Sequence, residues 1–142
     1  MALPSFIVVG TDLSEQANRA ADYALTLAKT SGARLRLVLA VPVPGAMDLP
    51  PLSAADVVKR LEEDARKGLD AALARLRQDG LELDGVVELG DARDVLVSVA
   101  EEAKADLIVV GTHGRRGLKR ALLGSVAESV VRTAPCPVLV VR

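Results

Sequence analysis

Two short stretches combine residue types able to hold an anion or a small polar ligand. The richer one is Gly111-Thr112-His113-Gly114, followed by Arg115, Arg116, Gly117, Lys119 and Arg120 and closing on Gly124-Ser125. Glycines let the backbone take positive φ and remove the Cβ that would keep a bulky anion away from main-chain N–H groups. Gly124 and Ser125 stand just ahead of a predicted helix, whose first N–H groups have no intrahelical partner and whose dipole favours negative charge. Four cations lie between 115 and 120. The combination predicts a phosphate cradle in which Gly111, His113, Gly114, Arg115, Gly117, Gly124 and Ser125 take part. It is not a Walker loop, because no Lys-Ser or Lys-Thr pair follows the last glycine. The plain alternative is a turn whose glycines permit a reversal and whose cations form a solvated face.

The second stretch is Gly10-Thr11-Asp12-Leu13-Ser14-Glu15. Asp12 or Ser14 fits the N-cap of a following helix, worth about 1 kcal/mol, with Asp12 and Glu15 spaced as a capping box. Asp12, with Thr11 beside it, equally suits a carboxylate that accepts hydrogen bonds from a ribose hydroxyl or a base amine. The spacing serves both. His113 is the single histidine, but a general base needs a proton to take and an orienting partner, and the sequence identifies neither. It reads as a loop-shaping or phosphate-contact residue. Ser125 has one donor and two lone pairs, so it can cap a helix and touch a phosphate together, and accepting a phosphoryl group is its third option. Cys136, between Pro135 and Pro137, reads as a small buried apolar residue rather than a reactive thiol.

The elements that must position these residues alternate in type. Runs 6–9, 35–41, 86–87, 107–110 and 138–141 are apolar on consecutive positions, as parallel strands buried on both faces are. Between them run helical periods. Ala17, Ala20, Ala21, Ala24, Leu27 and Ala28 make a small-residue stripe, and Val58, Leu61, Ala65, Leu69, Leu73 and Leu76 a larger one. The second of these helices is expected to open on a capping-box variant, Ser53 to Asp56, and to end at Gly80. A third helix runs from about Asp91 to Ala103, and a fourth opens at Ser125 with a Ser-x-x-Glu box to Glu128. The order βαβαβαβαβ with right-handed crossovers predicts an α/β fold, one open parallel sheet with helices on both faces. Residues 42–51, with four prolines and Gly45, read as a mobile loop. Ligands in such a sheet sit outside the carboxyl ends of the strands, where both stretches fall.

Composition narrows the function classes. At 142 residues the chain is expected to be a single domain, 1–142, with a core large enough to fold without a disulfide or structural metal. One Cys and one His exclude a Cys/His zinc site. Eighteen basic against 19 acidic residues, with Phe6 and Tyr23 the only aromatics, predict no nucleic-acid partner. The longest apolar stretch, 37–47, is about half the roughly 20 residues of a membrane helix, so no membrane partner is expected. The opening Met-Ala-Leu-Pro-Ser has no basic n-region before an apolar run, which predicts a cytoplasmic protein.

Taken together, Gly111-x2-Gly114-x9-Gly124-Ser125, the opening 7–14 with its acidic turn, the strand 105–111 and the closing Ala134-Pro135-Cys136-Pro137 strand resemble the universal stress protein family. The resemblance covers essentially the whole chain and points to the ATP-binding branch, since all three motif glycines and the serine are present. It implies a Rossmann-like, adenine nucleotide alpha hydrolase-like sheet in the order 3-2-1-4-5. It also implies that Asp12 contacts the adenosine portion, that Val41 pairs its backbone with adenine, and that Gly111 and Gly114 flank the ribose and phosphates. Gly124, Ser125 and the Val126 amide would hold the phosphate chain of ATP, with or without Mg. Gly10 departs from the larger apolar residue that members often carry there, which bears on how tightly the adenine pocket is walled. The last strand, 137–141, is apolar on both faces and at a sheet edge. Pairing with its two-fold mate would cover it, giving the family's usual homodimer. The implied function is a nucleotide-dependent stress-response module. The alternatives are a slow ATPase or autokinase and a partner-binding dimer that uses no nucleotide.

Overall fold

A computed structural model describes residues 2–45, 53–113 and 123–142. The expected alternation is present: β1 (Phe6–Gly10), α1 (Glu15–Ser31), β2 (Arg34–Val41), α2 (Ala54–Leu76), β3 (Leu83–Leu89), α3 (Ala92–Ala103), β4 (Leu107–Gly111), α4 (Ser125–Thr133) and β5 (Val138–Val141). The strands form one parallel sheet in the order β3-β2-β1-β4-β5.

Pleating splits the apolar runs between two cores. Ile7, Val9, Leu35, Leu37 and Val109 face α1 and α2, whereas Val8, Val38, Ile108 and Val110 face α3 and α4. The alanine stripe of α1 is fully buried, and the absence of larger side chains lets that helix lie close against β1 and β4. Burial on both faces holds for the middle strands only. Ile7, Val8, Val9, Ile108 and Val109 are wholly inaccessible, while β5 is half-buried at every residue because an edge strand has a neighbour on one side alone.

One expected helix end and two expected caps differ. The Ser53 side chain makes no capping hydrogen bond to α2. That helix ends at Leu76, not Gly80, which instead takes φ 80° in the turn before β3. The N-cap of α4 is Gly124, with Ser125 the first helical residue, so no Ser125–Glu128 box forms. Glu128 donates its main-chain N–H to the Gly124 carbonyl and pairs its carboxylate with Arg132 at 2.8 Å. The loop 42–51 is described only through Gly45.

The amino ends of the strands are tied off by charge. Arg36 makes a two-point pair with Asp84, both contacts 2.8 Å, and Arg34 and Arg36 lie 4.5 and 5.3 Å from the centre of the Phe6 ring. Asp106 accepts from the Ser5 hydroxyl and from the main-chain N–H groups of Ser5 and Phe6. At the β3 edge, Arg66 donates to the Gly85 carbonyl at 3.0 Å.

Candidate functional site

The winding direction of the sheet reverses between β1 and β4, and a cavity of about 570 Å³ opens there at the carboxyl ends of β1, β2 and β4. That volume lies within the range of small-molecule sites. One part of the wall is apolar, built by Val38, Ala40, Pro42, Ala92, Leu96 and Val110. The other part is polar and mostly main chain, from Thr11, Asp12, Gly111, Thr112, His113, Gly124, Ser125 and Val126.

The β1–α1 turn is built from its own hydrogen bonds. Thr11 is the buried polar residue among those described; its N–H donates to the Val38 carbonyl at 2.9 Å and its hydroxyl accepts from the Leu13 N–H at 3.0 Å. The Asp12 carboxylate accepts from the Ser14 N–H at 3.0 Å. Ser14, not Asp12, is the N-cap of α1, accepting from the Ala17 N–H at 3.2 Å, and no Asp12–Glu15 box forms. Asp12 is therefore a cavity-wall carboxylate. Leu13 between them has φ 67°, a left-handed conformation that costs a branched side chain roughly 1–2 kcal/mol.

Across the cavity, the β4–α4 segment is held by close backbone approach. The Gly124 N–H donates to the Thr112 carbonyl at 2.6 Å. A Cβ at Gly124 would stand 2.8 Å from that same oxygen and 3.3 Å from the His113 Cα, so only glycine fits. Since Glu128 to Gly124 closes the first turn of α4, the N–H groups of Ser125, Val126 and Ala127 precede the helical ladder and stand at the cavity wall. The helix dipole adds positive potential at the same place.

His113 lines the cavity beside them. Its main-chain N–H donates to the Gln16 side-chain oxygen at 3.1 Å, and its Nε2 is buried without a hydrogen-bond partner among the described residues. An orphaned buried polar atom costs about 1–3 kcal/mol.

Of the residues expected in the site, Thr11, Asp12, Gly111, His113, Gly124, Ser125 and Val126 come together at this cavity. Val41 does not. Its side chain is buried, its carbonyl accepts the Gly90 N–H at 2.8 Å, and the wall there is made by its neighbours Ala40 and Pro42. Gly114, Arg115 and Gly117 lie outside the described residues, as do Arg116, Lys119 and Arg120. Gly10 is matched by Leu96, whose Cδ2 lies 2.8 Å from where a Gly10 Cβ would stand. The wall is closed from α3 instead of from β1. Leu96 and Gln16 carry no motif of their own, and the sequence signals neither as a wall or clamp residue. Just outside, the side chain and main-chain N–H of Arg93 hold the Asp91 carboxyl, which caps α3, down to about 2.

Cys136 is half-buried, and burial and the nearby Asp106 push its thiol up, so it is a poor nucleophile. Among the described residues no helix is long and apolar enough to cross a membrane, and no three His, Cys, Asp or Glu side chains gather as metal ligands.

The family model described as the universal stress protein family matches residues 6–142. A universal stress protein of Thermus aquaticus is 39% identical over 140 residues, covering 96% of this chain and 97% of the relative. Among solved structures, a universal stress protein in complex with cAMP superposes with a TM-score of 0.66 at 29% identity, covering 99% of each chain. The universal stress protein from Archaeoglobus fulgidus in complex with dAMP gives 0.68 at 26% identity, again covering 99% of each. With a parallel five-stranded sheet of this order and a family match across nearly its full length, the chain belongs to the universal stress protein family.

Proposed function

We propose that the cavity binds an adenine nucleotide, with ATP as the ligand, and that the chain works as a homodimeric nucleotide-dependent stress-response module. The observation that carries this reading is the division of one cavity into an apolar half and a half lined by main-chain N–H groups at the start of α4. Those halves suit a base and a phosphate chain respectively. Related proteins solved in complex with cAMP and dAMP support the adenine class. In this reading Ala40, Pro42 and Leu96 enclose the base, Asp12 accepts from the ribose, and Gly124, Ser125 and Val126 donate to phosphate. With Phe6 and Tyr23 both outside the cavity wall, the base is held by aliphatic and backbone contacts.

The dimer would form through β5. Its four residues are uncharged and half-buried, whereas the opposite edge carries Asp84 and has its Gly85 carbonyl occupied by Arg66. Charge and side-chain capping of an edge discourage strand addition.

Denaturing the purified protein and identifying released nucleotide by mass spectrometry tests the ligand. An adenine nucleotide is expected, and ATP at 100 times its dissociation constant should stabilise the fold by about 2.7 kcal/mol. Protein that releases none and shows no thermal shift with ATP overturns the reading.

A further inference from the structure

Among the described residues, Leu13 and Lys104 are the non-glycine positions with positive φ. Lys104 is the C-cap of α3, where the left-handed conformation is ordinary. Leu13 has no such excuse, and it stands in the turn next to Asp12. Strain of this kind persists only where the surroundings over-determine it.

Those surroundings lie on α2. The Leu13 side chain packs on the core between the sheet and α1 and α2, and its Cδ1 lies 2.5 Å from where a Cβ on Gly68 would stand. Gly68 is inside α2 and has no positive φ, so what it supplies is space, not backbone freedom. Glycine is otherwise a poor choice within a helix. A strained leucine and an ill-placed glycine, far apart in sequence, thus explain each other.

We propose that Leu13 is a positioning residue for the ligand cleft: seated in the notch at Gly68, it locks the turn that presents Asp12 to the cavity, and so couples α2 to the site. The effect on ligand rests on the nucleotide reading above. Hydrogen bonds bracket the leucine, from its own N–H to the Thr11 hydroxyl and from the Ser14 N–H to Asp12. Moving its side chain therefore turns both. A methyl group at 68 meets the flexible end of that side chain and not backbone, so Gly68→Ala shifts Leu13 without breaking the helix.

The test uses Gly68→Ala, Leu13→Ala and the double variant in the full chain. For Gly68→Ala the melting temperature should stay at or above that of the wild type, since alanine favours the helix. ATP affinity should fall roughly three- to tenfold, in the lower part of the range for sites coupled through a shared backbone shift. Hydrogen exchange at the Ser14 amide should speed up in the ligand-free protein. The double variant should bind no more weakly than Leu13→Ala, because a methyl at 68 then displaces nothing. Unchanged affinity with unchanged Ser14 exchange, or additive losses in the double variant, overturns the coupling. A wild type with no affinity for adenine nucleotides overturns the reading of the cleft instead, and Ser14 exchange then decides the coupling alone.

Discussion

The two ends of the sheet are built on opposite principles. At the amino ends of the strands, polar groups are paired with one another: Arg36 with Asp84, Arg34 and Arg36 over Phe6, and Asp106 with Ser5 and Phe6. At the carboxyl ends the wall presents the first N–H groups of α4, and the buried His113 Nε2 has no partner among the described residues. Hydrogen-bonding capacity is spent internally at one end and held in reserve at the other. In the proposed reading the first end supplies stability and the second ligand recognition, an assignment that substitutions can break.

The largest effect is expected at Gly124. Valine there collides with the Thr112 carbonyl, which is backbone and cannot swing aside. Gly124→Val should weaken ATP binding by at least about tenfold, or 1.4 kcal/mol, by calorimetry, while the amino-end pairs stay intact. Wild-type affinity in that variant would remove the reason for the close approach.

A smaller effect of opposite kind is expected at Arg36. Its pair with Asp84 is two-pronged but Asp84 is nearly half exposed, so solvent screening holds the loss in Arg36→Met to about 1 kcal/mol. That corresponds to a melting temperature lower by roughly 3 °C, with ATP affinity within twofold of wild type. A variant that keeps its stability and loses ATP would reverse the assignment of the two ends.

The smallest effect is in acid. Burial pushes the Asp106 carboxyl up, but the hydrogen bonds from Ser5 and Phe6 outweigh it and hold the carboxyl below its ordinary value. The Arg36 hydrogen bond lowers Asp84 in the same sense. A depressed folded-state pKa stabilises the protein above the unfolded value, near 4, and that contribution fades as pH falls through the folded value. Asp106→Asn should therefore cost on the order of half a kcal/mol at pH 7, because the site is exposed and screened. The difference from wild type should shrink in urea melts below about pH 4. A difference that grows in acid contradicts the pairing.

Much of this was legible in the sequence. Consecutive apolar positions identify parallel strands because both faces need cover, and the alanine stripe of α1 identifies a helix seated close on the sheet. The glycines and Ser125 mark the α4 end of the cavity for a similarly local reason: a backbone that must approach another group closely has few residue types to choose from. Capping was less legible. Asp12, Ser14, Ser53 and Ser125 all suit an N-cap by type, yet of these only Ser14 caps with its side chain; α2 opens at Ser53 without a side-chain cap and α4 at Gly124. Where a helix begins depends on where the preceding strand delivers the chain, and one residue of slip changes which side chain faces the free N–H groups. Val41 is absent from the wall for a related reason. Adjacent residues on a strand point to opposite faces, so Ala40 and Pro42 line the cavity and the buried Val41 side chain does not, while the backbone expected to meet adenine has its carbonyl accepting the Gly90 N–H.

The sequence by itself determined the class of fold, the order of its elements and the glycine-bounded stretch that leads into α4, because periodicity and glycine placement are properties of the local chain. Tertiary structure alone decided what closes and aims the cavity: Leu96 opposite Gly10, Gln16 beneath His113, and Gly68 beneath Leu13. Each is a contact between residues distant in sequence. Such contacts exist only once the sheet has stacked its helices, and the residues making them follow no local pattern.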